Sequence, residues 1–134
     1  MFEHFVTAQD PVYEHVLAEL AAGHKATHWM WFIFPQIAGL GSSPMSRRYA
    51  IHTLEEARQY LAHPVVGQRL KECTTLVNQV GGKSAHAIFS HPDDLKFHSS
   101  MTLFANATDD NELFRTALRK FFEGHEDGAT AVRI

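Results

Sequence analysis

The residues with the greatest chemical potential sit together in one stretch, Asp93-Asp94-Leu95-Lys96-Phe97-His98-Ser99-Ser100-Met101-Thr102-Leu103-Phe104. At about 100° per residue, Leu95, Phe97, Met101, Leu103 and Phe104 spread around most of a helix circumference, as on a helix at the centre of a domain. Lys96, Ser99 and Ser100 nevertheless share one side, at i, i+3 and i+4. An amine and two hydroxyls on a central helix must find partners or face a cavity, because an unpaired buried amine is costly. Either Lys96 runs its stem out to water while the serines bond backbone carbonyls, or the three side chains face a ligand. No nucleophile elbow surrounds the serines, which argues against a covalent nucleophile.

A second segment, His28-Trp29-Met30-Trp31-Phe32-Ile33-Phe34-Pro35-Gln36, places two tryptophans and two phenylalanines within six positions. Such a run is core material first. In a pocket wall, Trp31 would stack on a flat ligand while His28 and Gln36 supply hydrogen bonds at the two ends. Behind it, Gly39-Leu40-Gly41-Ser42-Ser43 could turn backbone N–H groups toward an anion, and Arg47, Arg48 and Tyr49 follow closely. Ten histidines are present. His24 and His28, and His86 and His91, are close in sequence, but no acid-containing zinc motif accompanies them, so no metal and no cofactor is expected. The single cysteine, Cys73, lies on an apolar stripe and reads as an inert buried thiol.

The elements that must position these groups are helical. Asp10-Pro11 reads as an N-cap and first helical position, with Val12, Val16 and Leu20 on one stripe and Gly23 at the end. Thr53-Leu54-Glu55-Glu56 matches a capping box opening a helix to about Ala62. From Pro64, apolar residues recur in steps of three and four through Val80, stopped by Gly81-Gly82. Pro92-Asp93-Asp94 opens a helix with acids at the positive end of its dipole, and Asn111 to Phe122 forms one more. Trp29 to Phe34 is apolar on every side, so helix and strand stay open there. Pro35 to Pro44 reads as a glycine- and serine-rich structured loop. The expectation is an all-α, multi-helical single domain over residues 1–134.

The 134 residues fit one domain with its own core. A net charge of -3 argues against a dedicated nucleic-acid binder. The longest apolar run, six residues, falls far short of the roughly 20 that span a bilayer, and the acidic start Met1-Phe2-Glu3 is unlike a signal peptide. A cytoplasmic location is expected; oligomeric state is left open.

Long strings resemble the uncharacterised DUF 1810 family: His28–Gln36, Gly39-Leu40-Gly41-Ser42, Tyr49-Ala50-Ile51, His63-Pro64 with Gly67 and Arg69-Leu70, and Asp94–Phe104. The resemblance covers nearly the whole chain and implies a compact, mainly helical fold without an assigned reaction. Some members carry the label calpastatin. Calpastatin inhibitory segments are disordered until bound, which a chain with a large core does not fit. The order of features is also similar to the NADAR proteins, a helical group linked to ADP-ribose and NAD-derived metabolites. That similarity is one of pattern: an aromatic segment ending in Gln, a helix with Arg69-Leu70, a Lys-Phe helix, and acids at Glu126-Asp127.

These readings converge on a pocket for a nucleotide or sugar-phosphate of the ADP-ribose kind, with N-glycoside hydrolysis as a candidate reaction. Its expected walls are His28, Trp31, Gln36, Gly41, Ser42, Tyr49, Ser99 and Ser100. Lys96 takes phosphate, and Asp94 or Glu126 polarises water. The competing readings are a non-enzymatic protein-interaction module and a purely structural domain.

Overall fold

A computed structural model describes all 134 residues as ten helices and no strand longer than a single bridge. The helices are α1 (Glu3–Gln9), α2 (Tyr13–Ala21), α3 (Met30–Ile33), α4 (Pro44–Arg48), α5 (Leu54–Ala62), α6 (Val66–Gln79), α7 (Ala85–Phe89), α8 (Asp93–Ala107), α9 (Glu112–Phe122) and α10 (Gly128–Ala131). No helix is long and apolar enough to cross a membrane.

Helix α8 is the hub. It packs on α5, α7, α9 and α10, which explains an apolar circumference that no single-faced helix would need. Phe97, Met101, Leu103, Phe104, Ala105 and Ala107 are all buried. Around it, Phe34 meets Phe97 and Phe89 edge-on at 5.1 and 5.9 Å, and Phe89 stacks on Phe97 at 4.8 Å. A second aromatic cluster joins Phe2, Phe5, Tyr49 and Tyr60, then reaches Phe104 and Phe114. Edge-to-face contacts of this kind add specific geometry to the large apolar area such rings bury.

Where α5 gives way to α6, Gly67 is required. A Cβ there would lie 2.2 Å from the Leu61 carbonyl oxygen and 2.8 Å from that of Tyr60. Thr53 caps α5 by accepting the Glu56 amide at 3.0 Å. Glu56 reaches back to the amide of His52 at 3.2 Å, one residue earlier than the usual reciprocal bond.

The start of the chain differs from its sequence reading. Asp10 does not cap a helix; it ends α1, and α2 begins only at Tyr13. The Asp10 carboxylate is drawn instead to Arg69, at 2.8 Å, and burial of Phe2 and Phe5 anchors the additional helix α1. The Trp29–Phe34 run resolves as a single helical turn, α3, whose all-round apolarity follows from burial of every member except Trp31. Helices α4, α7 and α10 are four or five residues long, too short to show periodicity. Each is opened by a side-chain cap, Ser43, Ser84 and Asp127 respectively.

Candidate functional site

Three contiguous hollows form a groove, the first two of them along one side of α8. The first, of about 390 Å³, includes Lys25, His28, Trp31, His91, Asp93 and Lys96 in its lining. The second, of about 280 Å³, shares Lys96 and Pro92 with it and adds Gln36, Leu95, Ser99 and Asp127. A third, of about 190 Å³, shares Gln36, Gly41 and Ser46 with the second and extends to Arg47 and His52. A larger depression of about 580 Å³ lies elsewhere, around Arg58, Lys71 and Asp109. It is a more open surface feature and gathers no aromatic side chain and no serine.

The geometry of the groove begins at Asp93, in the first turn of α8. Lys25 Nζ lies 2.9 Å from its Oδ2 and Lys96 Nζ lies 3.4 Å from its Oδ1. Each ammonium also sits over an indole, Lys25 over Trp29 at 5.1 Å and Lys96 over Trp31 at 5.0 Å. Two cations therefore share one carboxylate, leaving one positive charge in surplus. The Lys25 side chain is only 8% exposed and is held close. The Lys96 ammonium, on a side chain 20% exposed, makes no hydrogen bond within the protein and has the longer ion pair. Its three donors are largely unused.

The loop that carries Lys25 and His28 is organised by Glu19 on α2. That carboxylate accepts the amides of Ala26 (2.6 Å) and Thr27 (3.0 Å), the Thr27 hydroxyl (2.7 Å) and the Trp29 indole N–H (3.0 Å). Partial burial raises the Glu19 pKa, and these donors outweigh that effect and hold the carboxyl down at about 2. Lys25 is pinned further by its amide, which donates to the Ile88 carbonyl at 2.8 Å.

Gln36 is placed by the parallel bridge between Ile37 and Ile51. The Ile51 amide donates to the Gln36 carbonyl at 2.9 Å and the Ala38 amide donates to the Ile51 carbonyl at 2.8 Å. The Gln36 side-chain amide, half-buried, has no hydrogen-bond partner within the protein. Gly41 lies against Ser46 so closely that a Cβ would meet its Oγ at 2.5 Å. Any side chain at position 41 would therefore displace the Ser46 hydroxyl that lines the groove.

His28, Trp31, Gln36, Gly41, Lys96 and Ser99 all line these hollows. Ser42 is exposed next to Gly41, its carbonyl accepting from Arg47. Ser100 is fully buried, and its hydroxyl has no partner. Tyr49 belongs to the aromatic interior, packed on Phe5 and Phe32 and stacked on His4. Asp94 is turned toward His86 and His91, at 3.6 and 3.4 Å, and does not line the groove. Glu126 pairs with Arg115 at 2.7 Å and accepts from Asn106.

The carboxylates that do line the groove are the sequence neighbours of those two, Asp93 and Asp127. Their signals were present in the sequence. Asp93 stands three residues before Lys96, the spacing of a helical ion pair, and Asp127-Gly-Ala-Thr130 has the form of an N-cap. No group of three or more His, Cys, Asp or Glu side chains is arranged to hold a metal ion.

An all-α domain with a cationic, aromatic-walled groove beside its central helix is the class that fold and site define. The chain belongs to the family described as protein of unknown function (DUF1810), whose family model matches residues 1–134. It is similar to the conserved hypothetical protein Rv1873 from Mycobacterium tuberculosis, known from a crystal structure. The two are 58% identical with a TM-score of 0.96, over 97% of this chain and 93% of that one. No protein with a curated description matches the chain.

Proposed function

We propose that the groove binds an anionic small molecule of the nucleotide class, an ADP-ribose-like ligand, and that N-glycoside hydrolysis is the reaction to seek there. The observation that carries this reading is Lys96. A lysine in the middle of a groove, its ammonium in one long ion pair and without a hydrogen bond, has donors available for a phosphate. Lys25 adds a second cation, Trp31 offers an aromatic surface, and the carboxylates are of the type that stabilises a sugar cation or activates water.

A protein-docking face has less support. Large apolar side chains are exposed only at Met1, Leu95, Val132 and Ile134, and Leu95 lines the groove itself. The test is isothermal titration of the protein with ADP-ribose, repeated on Lys96→Met. Saturable binding that weakens at least about tenfold in the variant is expected, as for loss of a charge-assisted contact. Absence of binding at millimolar ADP-ribose would remove the reading.

A further inference from the structure

The second hollow offers more than a cation. Asp127 is held at both ends of the residue. Its amide donates to the Thr102 hydroxyl on α8 at 2.9 Å. Its Oδ2 accepts the Thr130 amide at 3.0 Å and the Thr130 hydroxyl at 2.6 Å, and lies 3.2 Å from the Ser99 hydroxyl, whose one proton is shared with the Leu95 carbonyl at 3.0 Å. All of these contacts fall on one oxygen. Oδ1 receives none, although the residue lines the hollow. A carboxylate fixed this firmly, with a whole oxygen to spare, is a preorganised acceptor for a ligand's donors.

The rest of the wall has a matching character. The Gln36 amide, without an internal partner, offers one donor group and one acceptor. Leu40 and Leu95 supply apolar rim, Leu95 being 54% exposed. Lys96 stands where this hollow joins the next. The volume of about 280 Å³ is at the lower limit of small-molecule sites, roughly 300 Å³. It suits one sugar phosphate and is too small for a complete dinucleotide.

Resting on the groove as the binding site, we infer that this hollow takes a phosphorylated ribose-like sugar. Its phosphate sits on Lys96 and a vicinal pair of its hydroxyls on Asp127 Oδ1, with Gln36 bonding a further oxygen. The apolar rim faces the C–H side of the ring. The two Thr130 donors, with a share of the Ser99 proton, already offset the charge at Oδ2, so neutral hydroxyls suffice as partners and an ammonium is not required. Any remaining part of a larger ligand extends past Lys96 toward Lys25 and Trp31. The sugar phosphate is then the minimal ligand, and a nucleobase is dispensable for occupying this hollow.

Titration calorimetry on the intact protein tests this with inorganic phosphate, ribose 5-phosphate, 2-deoxyribose 5-phosphate and leucine, alongside ADP-ribose. Ribose 5-phosphate is expected to bind about tenfold tighter than the deoxy sugar, the size of one hydrogen bond to a charged acceptor, and tighter still than phosphate, which lacks every sugar contact. Asp127→Asn is expected to bring ribose 5-phosphate and 2-deoxyribose 5-phosphate within about twofold of one another while leaving phosphate binding intact. Gln36→Leu, which breaks no internal hydrogen bond, should weaken ribose 5-phosphate and leave phosphate unchanged, and it stands in if the Asp127 variant does not fold.

Equal affinity for the three phosphates would overturn the sugar assignment and leave the groove as an anion site. Loss of phosphate binding in a folded Asp127→Asn protein would overturn it too, as would leucine binding more tightly than ribose 5-phosphate. ADP-ribose binding without any ribose 5-phosphate binding would sink the sugar assignment alone. No binding by any of the probes would sink it together with the reading of the groove.

Discussion

Arg69 and Lys96 are both cations on long helices, and their surroundings differ in how many bonds are left over. Around Arg69 the polar groups consume one another. Its guanidinium pairs with Asp10 at 2.8 Å, donates to Gln9 Oε1 at 3.2 Å and covers the Tyr13 ring at 4.8 Å. Gln9, 1% exposed, donates to the Phe32 carbonyl at 2.7 Å and to the Tyr60 hydroxyl at 3.3 Å. Tyr13 donates to Glu72, and the Cys73 thiol lies 3.8 Å from the Tyr13 oxygen. Burial pushes the Tyr13 and Tyr60 phenols above their ordinary range and the Cys73 thiol up to about 12, so these groups stay neutral and inert.

Around Lys96 the bonds do not close. Two amines share Asp93, the Gln36 amide has no partner, and one oxygen of Asp127 accepts nothing. Buried polarity alone therefore does not mark a binding site. What separates the two regions is unspent hydrogen-bonding capacity next to space.

The contrast is broken most directly at Gln9. Gln9→Leu strands the Phe32 carbonyl, the Tyr60 hydroxyl and one Arg69 N–H, and is expected to cost about 3 kcal/mol of stability. It should leave ligand affinity in the groove unchanged. Urea unfolding at pH 7 measures the first part, and a loss below about 1 kcal/mol would show that this network is not structural.

A smaller effect is expected at Glu19. Its folded pKa of about 2 lies below the ordinary 4.5. Its contribution is thus fully present above pH 4.5 and lost as the pH falls from there toward 2. After discounting for solvent screening, that contribution is about 1 to 2 kcal/mol at neutral pH. Glu19→Gln should lose it and flatten the decline in stability between pH 5 and pH 3. A parallel decline in both proteins would mean the carboxylate does not hold the Lys25 loop.

The smallest change in stability is expected where the largest change in binding is. Lys96→Met keeps most of the side-chain volume and leaves Asp93 with Lys25, so stability should move by no more than about 1 kcal/mol in either direction. Several kcal/mol lost in thermal or urea unfolding would make the amine structural and erase the difference from Arg69.

Much of the helical framework is written locally. The Thr53 cap, the apolar stripe of α6, the acid-rich start of α8 and the stripe of α9 all appeared in their sequence-read places. Local signals misled at Asp10-Pro11, where a distant partner, Arg69, outcompeted the cap. They were silent at α4, α7 and α10, which span little more than one turn and so cannot repeat a helical pattern. For the groove, the helical spacing of Lys96 and Ser99 and the ends of the aromatic segment pointed to residues that do line it. Tyr49 looked the same on paper, yet its ring is committed to the core.

By itself, then, the sequence determined the class of fold, the central helix with its polar residues, and the membership of the aromatic segment. These depend on periodicity and caps, which act over three or four residues. Only the tertiary structure decided which carboxylates face the groove. Asp93 and Asp94 are one residue apart on α8, where one residue turns a side chain by about 100°. Glu126 and Asp127 are one residue apart in the extended segment before α10, where neighbouring side chains point to opposite sides. The choice between such neighbours is made by partners brought in from far along the chain: Lys25 for Asp93, and Ser99 and Thr102 for Asp127.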